Sequence, residues 1–235
     1  MTTALVLSAG GLFGAWQAGV WKAVAARMPP DIVLGASAGA WNAWAIAGGA
    51  TPEELAARWR DPRIGEVLRF GPHRTGFLCA EPLHAMAREL FEAYRPRMPL
   101  AFPLVEVPGL RVRLVRETEV TWRHLAAACS IPFGCPPVEI EGRRYVDGGL
   151  RASLPLWAAA EMGADRALAA FCLTNWPFRL LRRLFRPVAV PGSLAVTRVI
   201  PPRDLGSVRD ALVWSRGNIE RWIAQGERDA LRALG

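Results

Sequence analysis

Lysine is almost missing from this chain, with Lys22 standing alone against 28 arginines. Histidine is scarce too. His73, His84 and His124 are the only three, and none follows residue 124. A Ser…Asp/Glu…His order along the chain, as in α/β-hydrolase triads, therefore has no histidine to close it. The four cysteines (Cys79, Cys129, Cys135, Cys172) form no CxxC pair and have no histidine at metal-ligand spacing. That speaks against a structural zinc site and a disulfide framework, and the expectation is free, mostly buried thiols with no metal and no cofactor. Long apolar runs are also lacking. The charge-free stretch Ile32 to Thr51 is interrupted by glycines, Ser37 and Asn42, so it reads as a buried strand–turn–helix rather than a membrane span. The N-terminus has no basic region and its apolar run is strand-sized, so no signal peptide is expected. The expected location is cytoplasmic, with peripheral contact at the inner membrane surface left open.

What is present suits a globular fold. The 235 residues are 51% hydrophobic and 21% charged, enough to bury a substantial core in one domain spanning 1–235. The net charge of +8 favours anionic partners, a membrane leaflet or phosphorylated substrates among them. Genome composition alone also produces an arginine excess, so charge does not choose between these. No nucleic-acid-binding module is recognisable, and none is expected. Nothing bears on the oligomeric state.

Along the chain, ALVLS (4–8) predicts a buried strand and Gly14 to Met28 a helix ended by Pro29-Pro30. IVL (32–34) predicts a second strand, followed by a small-residue helix from Ala38 to Ala47. Thr51-Pro-Glu-Glu54 has the form of a capping box opening a third helix. Residues 61 to 109 are rich in proline and arginine and yield only one helix, Glu81 to Tyr94. LRVRLVR (110–116) alternates as a strand with one solvated face. A helix from Thr121 to Cys129, strands PVEI and RRYVD joined at Glu141-Gly142, and a helix from Pro155 to Met162 follow. ALAAFCL (167–173) predicts a buried strand, and a long arginine-studded helix closes the chain from Arg209 to Leu234. Strands and helices alternating in this way predict an α/β fold, a three-layer α/β/α sandwich around a largely parallel sheet.

Three stretches carry chemistry. GASAG (35–39) is G-x-S-x-G after a strand and before a helix. In such a turn the serine hydroxyl stands clear of the sheet, and Gly35 and Gly39 remove side chains that would collide where strand and helix cross. A chance pentapeptide in a glycine-rich turn is the plain alternative. With no suitable histidine, the proton acceptor is sought in YVDGGL (145–150), where Asp147 ends a predicted strand. The carboxyl edge of a parallel sheet is where catalytic side chains gather. A simple D-G turn explains it equally well. SAGGLFG (8–14) links the first strand to the first helix. Ala9 occupies the first glycine position of a dinucleotide fingerprint, and GK[ST] is missing for a phosphate loop. What is left is a set of N–H groups at a helix N-terminus, as an oxyanion hole requires.

Together these motifs, with CSIPFGCPPVEIEGRRYVDGGLRASLPL around the aspartate, resemble the patatin-like phospholipase family over roughly residues 4 to 173. The resemblance implies a Ser–Asp dyad without histidine: Ser37 as nucleophile, Asp147 as general base, and the N–H groups of Gly10, Gly11 and Leu12 as oxyanion hole. Gly35, Gly39, Gly148 and Gly149 would support the motifs. It implies a serine lipid acyl hydrolase of phospholipase A, lysophospholipase or esterase type, acting through an acyl-enzyme on a lipid or acyl-ester substrate. The family loop usually carries a basic residue where this chain has Phe13. That departure leaves open how the loop settles on the sheet. An acyltransferase with the same dyad and a non-catalytic lipid-binding protein of the same fold are the rival functions. Within the C-terminal part, 174–235, WPFRLLRRLFRP (176–187) forms a basic amphipathic pattern. Phe178, Leu181, Leu184 and Phe185 share one face and Arg179, Arg182, Arg183 and Arg186 the other. It suits either a lid or anionic-membrane contact, or a helix docked on the core.

Overall fold

A computed structural model describes residues 1–73, 76–132, 134–175, 189–190 and 192–235. The amphipathic stretch 176–187 lies outside the described residues. The chain opens with β1 (Thr3–Leu7), α1 (Gly14–Arg27), β2 (Ile32–Gly35), α2 (Ala38–Ala47) and α3 (Pro52–Arg60). The capping box at Thr51 is present, its hydroxyl accepting from Glu54 N while the Glu54 carboxylate accepts from Thr51 N. Next come α4 (Arg63–Glu66), the hairpin β3 (Phe70–His73) and β4 (Gly76–Leu78), and α5 (Ala80–Ala93). Then follow β5 (Leu100–Val107), β6 (Arg111–Arg116), α6 (Trp122–Ala128), β7 (Val138–Ile140) and β8 (Arg143–Asp147). The chain ends with α7 (Leu156–Glu161), β9 (Arg166–Ala170), β10 (Ala195–Val199), α8 (Val208–Leu212) and α9 (Arg216–Ala233).

Five strands run parallel in the order β10-β9-β1-β2-β5, while β6, β7 and β8 are antiparallel additions. Alternating side chains send β1 into two cores, as a strand covered on both faces must. Leu5 and Leu7 face the large core built with α1, α2 and α9, whereas Ala4 and Val6 face a smaller one covered by α7. The two cores give the expected three layers. Helices α1 and α9 meet backbone to backbone. A Cβ on Gly19 would stand 2.0 Å from Ile223 O, and one on Gly226 would stand 1.9 Å from Trp16 O.

Some expectations change. Strand β5 was not foreseen, yet it joins the two halves of the sheet. The single C-terminal helix divides at Val213, where the backbone turns extended. Trp214 packs over Gly65 and donates its indole N–H to Trp59 O at 3.1 Å, so anchoring this side chain breaks the helix.

Candidate active site

Ser37 sits between β2 and α2 with φ 55° and ψ −128°, a conformation that costs a non-glycine residue and is kept only where its surroundings impose it. They do so here by close approach. A Cβ on Gly35 would lie 2.0 Å from Gly39 O, and one on Gly39 would lie 2.6 Å from both Leu7 O and Ser8 O. The turn is tied down by Ala36 N donating to Leu7 O at 3.1 Å and Gly39 N donating to Ala36 O at 2.8 Å.

Asp147 arrives from an unexpected direction. Its strand β8 is antiparallel to β5, not a member of the parallel set. Strand β6 covers one edge of β5 from Ala101 to Glu106, which leaves β2 and β8 to share the other. On that edge β2 runs forward until Leu34 faces Ala101, and β8 runs backward until Asp147 faces Leu104. The two strands thus end toward each other, and the residues just beyond their ends converge. The Ser37 hydroxyl acts on both the Asp147 carboxyl and the Cys129 thiol, drawing each down against the rise that burial imposes.

Asp147 is 6% exposed and accepts from Gly149 N at 2.7 Å. Burial pushes its carboxyl up from 3.8 to about 6, with the Ser37 hydroxyl and the Gly149 N–H opposing that rise. At neutral pH it is still ionised but more basic than an ordinary aspartate. Gly148 fits beneath it against β5, where a Cβ would meet Pro103 O at 1.9 Å.

The loop after β1 contributes the third part. Ala9 N donates to Ser153 O at 2.8 Å and Phe13 N to Gly10 O at 3.1 Å. Among the described residues none accepts from the N–H groups of Gly10, Gly11 or Leu12. Gly11 has φ +53° and needs the freedom of glycine there. Gly11, Leu12 and Ser37 line one cleft, whose apolar walls include Trp41, Trp59, Ile64 and Ile131. Phe13 is fully buried in edge-to-face contact with Trp222, ring centroids 5.0 Å apart. The loop is therefore docked by an aromatic pair, and no basic side chain is needed to seat it.

Beneath the loop lies a buried polar network that sequence reasoning missed. Gln17 Nε2 donates to Ser8 O at 2.6 Å, while Asn42 Nδ2 donates to Gln17 Oε1 and to Gly14 O, each at 3.0 Å. Trp59 Nε1 donates to Asn42 Oδ1 at 2.9 Å. Both ends of the loop, Ser8 and Gly14, are thus tied to the helix that begins at Ser37 and to a wall of the cleft. The Cys172 thiol, pushed up to about 11 by burial, packs behind the loop against Ser8 Oγ and Ala9 O. Cys129 also lines the cleft, but burial holds its thiol well above the usual range and so protonated.

His84 and His124 lie elsewhere. His84 stacks edge-on against Trp122 at 5.6 Å, and His124 Nδ1 accepts from Thr121 N at 3.1 Å. Among the described residues, no group of three His, Cys, Asp or Glu side chains could hold a metal ion, and no helix is long and apolar enough to cross a membrane.

The family model described as Patatin-like phospholipase matches residues 5–160. No curated protein matches the sequence. Among solved structures, VipD from Legionella pneumophila is similar at 10% identity and a TM-score of 0.56, with 99% of this chain and 66% of that one covered. The type III effector protein ExoU aligns at 15% identity and a TM-score of 0.49, covering 99% of this chain and 52% of that one. The chain therefore spans just under two thirds of the first structure's length and about half of the second's. At these identities the likeness to VipD concerns the fold.

Proposed function

Because the chain belongs to the patatin-like phospholipase family, we propose that it is a serine lipid acyl hydrolase in which Ser37 and Asp147 act as a dyad. Asp147 accepts the hydroxyl proton as Ser37 Oγ bonds to the ester carbonyl carbon. The N–H groups of Gly10, Gly11 and Leu12 hold the oxyanion that forms. Collapse of the tetrahedral intermediate breaks the bond to the leaving alcohol, which takes the proton from Asp147. Water then repeats the sequence on the acyl-enzyme and releases a fatty acid. The observation that carries this reading is the strained Ser37 turn. It presents one hydroxyl both to a buried carboxyl raised to about 6 and to a cleft bordered by free N–H groups. The apolar cleft walls suit an acyl chain.

Release of fatty acid from phosphatidylcholine in mixed micelles, and of nitrophenol from a short p-nitrophenyl ester, tests the proposal. Ser37→Ala and Asp147→Asn are each expected to lower kcat by roughly 10³-fold or more with the fold retained. Equal turnover by either variant contradicts the dyad. Acyl product found on an added alcohol instead of as free acid assigns the chemistry to transfer.

A further inference from the structure

Exposed apolar side chains are unevenly placed on this molecule. Strands β10, β9, β1 and β2 are parallel, so their carboxyl ends share one edge of the sheet, the edge at which Ser37 stands. Ile200 follows β10 directly at this edge and is 44% exposed. A few residues later Val208, Leu212 and Val213 are exposed, Val213 to 48%. Phe77, 51% exposed, belongs to a strand whose Leu78 N and Phe77 N both donate to Gly134 O, close to the Ile131 wall of the cleft.

Segment 208–214 is fixed to the lip of the cleft at two points. Ala211 is buried against the oxyanion-type loop, its carbonyl oxygen 2.6 Å from where a Gly11 Cβ would stand. Trp214 is held by Trp59 O and covers Gly65, and Trp59 is itself a cleft wall. Along α8, Val208 and Leu212 are one turn apart and share a face, with Arg209 beside them and Ala211 turned inward. Asp210, the one acid of the helix, is engaged elsewhere, accepting from Ser207 N at 2.8 Å and from Asn218 Nδ2 at 3.2 Å. Among the described residues no carboxylate pairs with Arg209. The outward face is therefore apolar with an unneutralised cation at its border, on a chain of net charge +8.

An apolar patch rimmed by positive charge is the surface chemistry of a contact with an anionic lipid interface. We infer that the face formed by Val208, Arg209, Leu212 and Val213 docks the protein on an anionic lipid surface. Docking there sets the mouth of the Ser37 cleft against the layer that supplies its substrate. The inference rests on the lipid-hydrolase reading for its purpose, but not for its test.

Binding is measured by co-sedimentation with vesicles of ether-linked lipids, which an acyl hydrolase cannot consume, with and without 30% anionic phosphatidylglycerol, roughly the fraction needed for a strong surface potential. Wild type is expected to bind the anionic vesicles and to bind less at 0.5 M salt, a concentration at which the Debye length falls to about 4–5 Å. Leu212→Asp with Val213→Asp is expected to weaken binding about tenfold or more, and Arg209→Glu several-fold, with turnover of a short soluble ester held within about twofold. Leu212→Trp is the complementary variant, expected to bind more tightly with a blue-shifted indole emission, so misfolding of the double aspartate variant cannot rescue the inference. Undiminished binding by the aspartate variant, no gain from the tryptophan, or no binding by wild type overturns it. A dimer formed by wild type and lost in the aspartate variant also overturns it, assigning the face to a second copy of the chain. Loss of ester turnover in wild type with vesicle binding intact would instead refute the hydrolase reading and leave the docking face standing.

Discussion

Under the proposed mechanism Asp147 couples turnover to stability, because its carboxyl titrates at about 6 in the folded chain against an ordinary 3.8. The folded state binds that proton more tightly than the unfolded state. The contribution to stability is therefore full below about pH 4 and is lost as pH rises through about 6, a change of about 3 kcal/mol. Asp147→Asn keeps the shape and the bond from Gly149 N but has no proton to lose. Urea unfolding at pH 4 and pH 7 is expected to show the variant gaining on wild type by about that amount across the interval. The activity of wild type should rise about tenfold per pH unit below pH 6 and level off above, since the base must be ionised. A flat profile from pH 5 to 8 would mean that another group accepts the proton. Both dyad candidates were legible in the sequence because each is a local turn signal, a serine between glycines and an aspartate before two. Gln17, Asn42 and Cys129 were not, because each reads as an ordinary helical or loop residue. Their significance comes only from partners on other elements, Ser8 for Gln17 and Trp59 for Asn42.

At the scale of elements, the network between α1, α2 and α3 holds the glycine loop at both ends. Asn42→Leu strips a partner from Trp59 Nε1, Gly14 O and Gln17 Oε1 inside the core. It is expected to cost at least about 2 kcal/mol in urea unfolding. Slower ester turnover at unchanged KM should accompany it, because the loop is placed less well for the transition state. The parallel strands and their helices follow the apolar pattern of the sequence closely, from Thr3–Leu7 through Ala38–Ala47. Strand β5 was hidden by Pro103 in its middle, and proline ordinarily argues against a central strand. The sheet tolerates it because the β2 register ends at Ala101 and the β8 register begins at Leu104, so neither pairs with residue 103. The ends of β2 and β8, near which Ser37 and Asp147 stand, face each other across this gap. Strand β10 was missed for a different reason: it is an edge strand, mostly exposed, without the apolar run of its neighbour β9.

Over the whole molecule, the machinery depends on the chain beyond residue 160, where the family match ends. Strand β9 pairs with β1 along Thr3–Leu7, and Ser8 N donates to Ala170 O at 3.0 Å just before the glycine loop. Helix α9 buries Trp222 against Phe13, and Asp229 against the Trp16 indole N–H at 2.9 Å. A chain ended after residue 160 leaves an edge of β1 and a face of α1 uncovered. It is expected to show no cooperative urea transition by circular dichroism, and a sigmoidal transition would show instead that the remainder is dispensable. The central claim, that Ser37 is a nucleophile activated by Asp147, is tested most directly by reacting the intact protein with a fluorophosphonate and mapping the adduct by mass spectrometry. One adduct on Ser37 is predicted in wild type, formed much more slowly in Asp147→Asn and not at all in Ser37→Ala. An adduct on another residue, or folded wild type that stays unmodified, would contradict it.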